Sequence, residues 1–266
     1  MLRKSAQRWL GYYFWKLASG VEYGGQHVTV NDVQIYYETF GVGSPVLVLH
    51  GGLGSIEGMS YQIRALAPSY FVIAPDSRGH GRSSPLKGSL TYSLMADDMI
   101  GVLDYLKIDR ADIVGWSDGG IVGLDLAIRY PDRVGKLVAI SANYDVSGLI
   151  GRQTVKDDPW EDTIPNPPLR YRLLARRSVD WPTLYRSVHT MWHTQPHYRK
   201  DDLRRIRAPT LIMAGANDIV RREHTDELVS EIPASEKIII EGTTHNVVID
   251  DPRRVNAAVV RFLSVP

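Results

Sequence analysis

The chain has 266 residues, of which 44% are hydrophobic and 23% are charged, and its formal net charge is +1. This composition is typical of a folded globular protein and excludes an intrinsically disordered chain. A charge so close to zero provides no overall field for a nucleic acid or an anionic membrane. The sequence contains no cysteine, which excludes disulfides, thiolate nucleophiles and cysteine-ligated metals. Partners therefore have to be inferred from local features.

The first 20 residues, MLRKSAQRWLGYYFWKLASG, combine basic with aromatic side chains. Lys16 interrupts their short apolar stretch, which is not typical of a signal peptide. No stretch approaches the roughly 20 apolar residues of a membrane-spanning helix, and we expect a cytoplasmic protein. We predict a helix that packs on its own domain or on a partner chain. Contact of residues 1–20 with a membrane interface is the less favoured alternative.

The next segment predicts an antiparallel hairpin, with strands at residues 27–30 and 33–39 and an Asx-type turn at Asn31 and Asp32. Short, nearly continuous apolar runs then recur, and such strands are typical of a buried parallel sheet. The runs are Pro45–His50, Phe71–Ala74, Asp112–Val114, Lys136–Ile140, Thr210–Met213 and Lys237–Ile240. Helical spacing of apolar residues between the runs predicts an open α/β sheet with helices on both faces.

The alternation of strand and helix is interrupted between about residues 144 and 207. A connection this long is uncommon inside a compact domain unless it forms an insertion of its own. It contains a proline-rich stretch, 158–168, which is followed by an arginine-rich helical pattern. We predict a helical cap at 144–207, an α/β core at 27–143 and 208–266, and an N-terminal extension at 1–26.

A glycine-rich stretch, Gly115-Trp116-Ser117-Asp118-Gly119, follows one predicted strand and precedes a helical pattern. Glycines of this kind often mark only a tight turn. Here the stretch fits Gly-x-Ser-x-Gly, in which a sharp strand-to-helix turn presents the serine hydroxyl at the edge of a sheet. We therefore predict that Ser117 is a nucleophile, which needs a base to take its proton.

His245 and Asp218 each come directly after a predicted strand, so both are expected at the same sheet edge as Ser117. A histidine can take the serine proton, and a carboxylate can orient that histidine. The chain order of serine, acid and histidine matches one of the known serine-hydrolase arrangements. We predict Ser117, Asp218 and His245 as the catalytic residues, with Asp145 as the alternative acid.

Acyl transfer also needs hydrogen-bond donors at the point where negative charge develops. The amide of Asp118, at the start of a helix, is one candidate. The second is expected in the glycine-rich loop His50-Gly-Gly-Leu-Gly54, at Gly52 or one residue later at Leu53. The candidate substrate contacts are Leu53, Trp116, Asp118 and Trp192.

The order of these motifs resembles that of the α/β-hydrolase superfamily. The matching stretches are HGGLG from residue 50, DSRGHGRS from 76, GWSDGG from 115, APTLIMAGAND from 208 and EGTTH from 241. The resemblance extends from about residue 27 to the C-terminus. It implies an eight-stranded, mostly parallel sheet, a small helical cap over the active site, and a loop at 76–83 with a structural role. The implied activity is that of a serine hydrolase, without cofactor or metal, on a small carboxylic ester.

The resemblance leaves several alternatives open. Ser117 argues against the haloalkane dehalogenases and epoxide hydrolases of the superfamily, which use an aspartate nucleophile. Its carbon–carbon bond hydrolases and cofactor-free haloperoxidases share the Ser-Asp-His set, and a binding protein without activity can have the same fold. Relatives with GWSDGG that act on amino-acid esters suggest that Asp118 attracts a cationic substrate. Capping of its own helix is the simpler explanation for Asp118.

Overall fold

A computed structural model describes residues 11–18, 25–151, 164–167, 172 and 180–265. Its strands are β1 Gln26–Val30, β2 Val33–Phe40, β3 Ser44–Leu49, β4 Tyr70–Pro75, β5 Ala111–Trp116, β6 Val134–Ile140, β7 Thr210–Asn217 and β8 Ser235–Thr244. The helices are α1 at 11–18, α2 Ser60–Leu66, α3 Tyr92–Tyr105, α4 Asp118–Arg129, α5 Trp181–Thr194, α6 Lys200–Leu203, α7 Arg222–Glu231, α8 Val247–Asp250 and α9 Pro252–Ser264. Short 3₁₀ turns lie at Ile56–Met59 and Val146–Gly148.

The strands form one eight-stranded sheet in the order β1-β2-β4-β3-β5-β6-β7-β8. β2 pairs antiparallel with both β1 and β4, whereas every pair from β4 to β8 along the sheet is parallel. The prediction of an eight-stranded, mostly parallel sheet is therefore confirmed. Because the parallel strands run the same way, the loops that follow β3, β5, β6, β7 and β8 lie at one edge of the sheet.

The sheet has an apolar layer on each face. Alternate residues of a strand point to opposite faces, and along β3 Val46 and Val48 belong to one buried cluster while Leu47 and Leu49 belong to the other. Helices α3, α4 and α7 contribute to the cluster with Leu47, and helices α1, α2 and α9 contribute to the cluster with Val46. Burial on both faces explains why most residues of the parallel strands are apolar.

The turn between β1 and β2 differs from the prediction. Asn31 has a φ of +44° and Asp32 a φ of +63°, so both residues lie in the left-handed region. This is the pattern of a type I′ turn, whose twist matches that of the strands it joins. The Asn31 side chain donates a hydrogen bond to Asp98 of α3, at 3.0 Å. The hairpin and the position of its turn are as predicted, but the turn is of type I′ rather than the predicted Asx type, because both central residues have a positive φ.

Part of the predicted cap lies outside the described residues, namely 152–163, 168–171 and 173–179. The described part of 144–207 contains the turn Val146–Gly148 and helices α5 and α6. Asp145 and His197 form an isolated antiparallel bridge near the two ends of this segment. The domain boundaries at 26, 143 and 207 stay predictions.

Helix α1 packs on the core of its own chain. Tyr12 and Lys16 are buried, and Lys16 Nζ lies 2.7 Å from a carboxylate oxygen of Glu38 in β2. The hydroxyls of Tyr12 and Tyr36 donate to the same carboxylate, at 2.8 and 2.7 Å. The ion pair is thus surrounded by hydrogen bonds, as a buried charge requires. Within the described residues, no helix is long and apolar enough to cross a membrane.

Replacing Lys16 tests how strongly α1 is attached. Lys16→Ala should lower the free energy of unfolding by about 3 kcal/mol, because it leaves the buried Glu38 carboxylate without its cation. Urea denaturation at neutral pH measures the change. The control is Lys87→Ala, at an exposed lysine, which should change stability by less than about 0.5 kcal/mol. A loss for Lys16→Ala no larger than the control's would contradict the prediction.

Candidate active site

Ser117 lies in a strained turn between β5 and α4. Its backbone has a φ of +55° and a ψ of −122°, a conformation that residues with a side chain rarely adopt. The amide of Ser117 donates a 2.8 Å hydrogen bond to the carbonyl of Ile140 at the end of β6, which holds the turn. A Cβ at Gly115 would collide with the backbone of Gly119, and one at Gly119 would collide with the backbone of Leu49. The glycines therefore permit the close packing of this turn.

Ser117, His245 and Asp218 form one hydrogen-bonded chain. The distance from Ser117 Oγ to His245 Nε2 is 2.9 Å, and that from His245 Nδ1 to Asp218 Oδ1 is 2.7 Å. A carboxylate can only accept, so Nδ1 carries the hydrogen and Nε2 accepts from the serine hydroxyl. Burial acts to raise the pKa of Asp218, but the interactions with His245, together with hydrogen bonds from Ser141 and Val220, outweigh it and lower that pKa. Asp218 is therefore ionised at neutral pH.

Sheet register brings the acid and the histidine together. Asn217, the last residue of β7, pairs with Thr244, the last residue of β8, after a local shift of register. Asp218 and His245 are the residues that follow these two. Their contact thus results directly from the parallel pairing of β7 with β8.

Ser141 is a partner of Asp218 that the sequence did not indicate. It directly follows β6, is buried, and has a φ of +53°. Its hydroxyl donates to Oδ2 of Asp218 at 2.5 Å, and the amide of Val220 donates to Oδ1 at 3.1 Å. Both oxygens of the carboxylate are therefore held in position. The signal in the sequence was a serine placed directly after the strand that neighbours β7.

The alternative acid, Asp145, does not contact His245. One of its oxygens lies 2.8 Å from Nδ1 of His197, and the other accepts from the amide of Ser147 at 2.8 Å. The structure thus brings Asp218, and not Asp145, to the histidine that reaches Ser117.

The loop after β3 distinguishes the two candidate amide donors. The amide of Gly54 donates to the carbonyl of Gly51 at 3.1 Å, which makes residues 51–54 a tight turn. The amide of Leu53 donates to Nε2 of His80 at 3.1 Å and is therefore already used. Among the described residues, no hydrogen bond occupies the amide of Gly52. Gly52 is accordingly the better candidate, beside Asp118, whose amide lies in the unpaired first turn of α4.

A cavity of about 550 Å³ lies above this arrangement. Its wall includes Gly52, Ser117 and His245, and also Trp116, Asp118 and Trp192 from the predicted substrate contacts. Leu53 is not among its lining residues, since its side chain packs against the apolar cluster that contains Leu47. The volume is in the range of sites that bind a small molecule.

The Asp118 carboxylate connects the serine turn to α5. It is only 2% exposed, and its Oδ1 accepts from the hydroxyl of Tyr92 at 3.0 Å. The indole nitrogen of Trp192 lies 2.8 Å from Oδ1 and 3.0 Å from Oδ2. Burial raises the pKa of Asp118 to about 6, although the hydrogen bonds from Trp192 and Tyr92 act to lower it. The carboxylate therefore bonds to side chains of α3 and α5, while it also lies in the first turn of α4, where a negative charge is favoured.

Two histidines of α5, His189 and His193, also line the cavity. They are four residues apart and therefore lie on the same side of the helix. In the part of the chain that the structure describes, no three histidine, aspartate or glutamate side chains are grouped closely enough to hold a metal ion.

The raised pKa of Asp118 predicts a dependence of stability on pH. A carboxyl whose pKa is higher in the folded state stabilises that state at low pH, and this contribution is lost as pH rises through about 6. Between pH 4 and 7, Asp118→Asn should therefore gain up to about 3 kcal/mol relative to the wild type. Urea denaturation at several pH values measures the difference. The control is the variant Asp132→Asn, at an exposed aspartate. A difference for Asp118→Asn that does not change with pH would refute the prediction.

Several proteins resemble this chain along most of its length. The putative carbamate hydrolase RutD of Rhizobium rhizogenes is 28% identical over an alignment that covers 86% of this chain and 97% of that protein. The serine hydrolase BPHL of Homo sapiens is 29% identical, with 86% of this chain and 82% of that protein covered. The esterase YbfF of Escherichia coli is 27% identical, with 83% and 93% covered.

A solved structure and a family model are also similar to this chain. The meta-cleavage product hydrolase CumD of Pseudomonas fluorescens is 25% identical, with a TM-score of 0.73 and coverage of 90% of this chain and 97% of that chain. The model of the alpha/beta hydrolase family matches residues 46–258, which include Ser117, Asp218 and His245. The chain therefore belongs to the alpha/beta hydrolase family.

Proposed function

We propose that the protein is a cofactor-independent serine hydrolase that cleaves a small carboxylic ester through an acyl-enzyme on Ser117. The observation that carries this proposal is the hydrogen-bonded chain from Ser117 through His245 to Asp218 at the wall of the 550 Å³ cavity. A serine becomes a useful nucleophile when a histidine takes its proton and a carboxylate orients that histidine. The described geometry supplies each of these contacts.

The first half of the reaction forms the acyl-enzyme. Oγ of Ser117 attacks the ester carbonyl carbon while Nε2 of His245 takes the hydroxyl proton. The ionised Asp218 stabilises the resulting imidazolium through its bond to Nδ1. The amides of Gly52 and Asp118 donate to the oxygen that becomes negative, and preorganised donors of this kind lower the barrier by several kcal/mol, roughly 3 for one donor.

The second half releases the product. The tetrahedral intermediate collapses, and His245 gives its proton to the oxygen of the leaving alcohol. A water molecule then loses a proton to His245 and attacks the acyl group on Ser117. As this second intermediate collapses, the bond between Oγ of Ser117 and the acyl carbon breaks and His245 returns its proton to Oγ, which leaves a carboxylic acid and the free hydroxyl.

An ester is the substrate class that several observations favour. The chain is similar over most of its length to an esterase and to a serine hydrolase. The similarity to a carbamate hydrolase and to a meta-cleavage product hydrolase leaves carbamates and carbon–carbon bonds as alternatives that would use the same residues. A perhydrolase or haloperoxidase side activity and a binding protein without activity are further alternatives. A binding protein, however, would have no need of an oriented serine.

The proposal also concerns the cap over the site. We propose that residues 144–207 form a cap, because Trp192 of α5 reaches Asp118 directly beside the nucleophile.

Two apolar side chains of the N-terminal helix α1, Phe14 and Leu17, remain 66% and 55% exposed. Membrane contact through residues 1–20 stays the less favoured alternative, and the cytoplasmic location stays a prediction.

Replacing the nucleophile is the direct test. Ser117→Ala should lower kcat by about 10⁴-fold or more, because the acyl-enzyme cannot form. A panel of p-nitrophenyl esters of increasing chain length, with lactones beside them, measures activity. A fluorophosphonate should label the wild type and the exposed control Ser230→Ala, but not Ser117→Ala. Full activity in Ser117→Ala would refute the mechanism. A wild type that is neither labelled nor active on any ester would favour the binding protein.

A matched pair of esters tests the predicted cationic substrate. An α-amino ester should be hydrolysed about tenfold faster than the neutral ester of equal size, a ratio that corresponds to about 1.4 kcal/mol. The physical reason is that Asp118 is one of the residues that line the cavity and that its carboxyl is ionised above about pH 6. Asp118→Asn should abolish the preference in kcat/KM. An equal preference in both proteins would assign the carboxylate only to holding Tyr92 and Trp192.

A further inference from the structure

We propose that His80 is a positioning residue for the oxyanion hole. By accepting the amide of Leu53, it holds the turn at 51–54 so that the amide of Gly52 faces the reacting carbonyl. This inference rests on the proposed function, since the orientation of Gly52 matters only if an oxyanion forms on a substrate attached to Ser117. It assigns a role to the DSRGHGRS stretch, for which the family resemblance implied only a structural one.

The hydrogen bonds of His80 fix which ring nitrogen accepts. Nδ1 lies 2.9 Å from the carbonyl oxygen of Arg78, and Nε2 lies 3.1 Å from the amide nitrogen of Leu53. Because a carbonyl can only accept, Nδ1 carries the hydrogen and Nε2 is free to accept. The ring is fully buried, and burial lowers the pKa of His80 to about 3, with a smaller effect from His50. The ring therefore stays neutral and keeps its acceptor at every pH at which the enzyme would work.

The backbone of Leu53 shows why such an acceptor is needed. Its φ of +52° lies in the left-handed region, which is unfavourable for a residue with a side chain. Strain of this kind persists only where the surroundings hold it, and it is concentrated at functional sites. The bond to His80 fixes the peptide between Gly52 and Leu53. The bond from Gly54 to Gly51 closes the same turn. The direction of the Gly52 amide follows from these two constraints.

Neighbouring contacts anchor both ends of the loop to residues 76–83. Nε2 of His50 accepts from the amide of Ser77 at 3.0 Å, and Nδ1 of His50 donates to the carbonyl of Gly51 at 2.8 Å. The amide of Ile56 donates to Asp76 at 2.8 Å. The bonds of Ser77 and Ile56 hold the loop before and after the turn, and the bond of His50 holds the Gly51 carbonyl within it. Among residues 76–83, His80 is the one whose side chain accepts from an amide inside the turn.

Two substitutions of similar size separate positioning from general stability. His80→Leu removes the acceptor, whereas His80→Gln keeps an oxygen that can accept from Leu53. The control is Ser83→Ala, which removes buried bonds of the same loop to the amide of Tyr36 and the carbonyl of Asp76. Ser83 lies on the side that faces β2 and does not contact the turn. Each variant is compared in kcat and KM per serine labelled by a fluorophosphonate, so that unfolded protein is not counted.

We expect His80→Leu to lower kcat by about 10- to 100-fold with little change in KM, because a displaced donor weakens only the transition state. The affinity for an alkyl boronic acid, whose boron becomes tetrahedral when it binds Ser117 Oγ, should fall by a similar factor. His80→Gln should recover much of both losses, and Ser83→Ala should retain wild-type values. If His80→Leu does not fold, replacing Leu53 by its α-hydroxy acid removes only the donor N–H and tests the same bond.

Two sets of results would overturn the inference. If His80→Leu, or the α-hydroxy acid at Leu53, keeps the wild-type kcat and boronate affinity, His80 does not position the oxyanion hole. If Ser83→Ala loses as much as His80→Leu, the effect is one of loop stability. A wild type that hydrolyses esters and is labelled at Ser117 retains the proposed function in either case. A wild type that does neither would remove the proposed function together with the inference.

Discussion

The parallel pairing of the strands from β3 to β8 is the constraint on which the site depends. Four chain segments that are far apart in sequence end at one edge because their strands run the same way. Ser117 follows β5, Ser141 follows β6, Asp218 follows β7 and His245 follows β8. The hydrogen bonds run from Ser117 after β5 to His245 after β8, and from there through Asp218 after β7 to Ser141 after β6. A change of one residue in the pairing of Asn217 with Thr244 would separate the acid from the histidine.

Backbone strain is concentrated at the same edge. Leu53, Ser117 and Ser141 each have a positive φ, and each lies in a loop that follows a parallel strand. The amide of each of these residues also donates a hydrogen bond. The acceptors are Nε2 of His80 for Leu53, the carbonyl of Ile140 for Ser117 and the carbonyl of Met213 for Ser141. The rigid sheet and the loop at 76–83 thus hold conformations that an isolated peptide would not keep. These conformations place a hydroxyl, an amide donor and a carboxylate partner around one cavity.

The sequence predicts the parts of this arrangement that follow from local pattern. Continuous apolar runs predict the buried strands, and residues directly after those runs predict Ser117, Asp218 and His245 at one edge. The position of Ser141 directly after β6 was a signal of this kind that the prediction missed, whereas His80 and Tyr92 depend on contacts between distant segments that no spacing reveals. The choice between Gly52 and Leu53 likewise depends on which amide already has an acceptor. The type of the turn at Asn31 was mispredicted because Asn and Asp suit several kinds of turn, and the positive φ of both residues, which selects type I′, is not visible in the sequence.

Asp118 shows how the same turn serves packing and chemistry through different atoms. Its amide is a candidate donor to a developing negative charge, while its carboxylate is itself negative and lies close to that point. Repulsion between the carboxylate and the negative charge that develops on the substrate oxygen would raise the energy of the transition state. The bonds from Tyr92 and Trp192 draw electron density from the carboxylate, and the amino-terminal end of α4 favours negative charge at this position. The donors that attach α5 to the serine turn thereby also reduce the conflict between the carboxylate and the oxyanion.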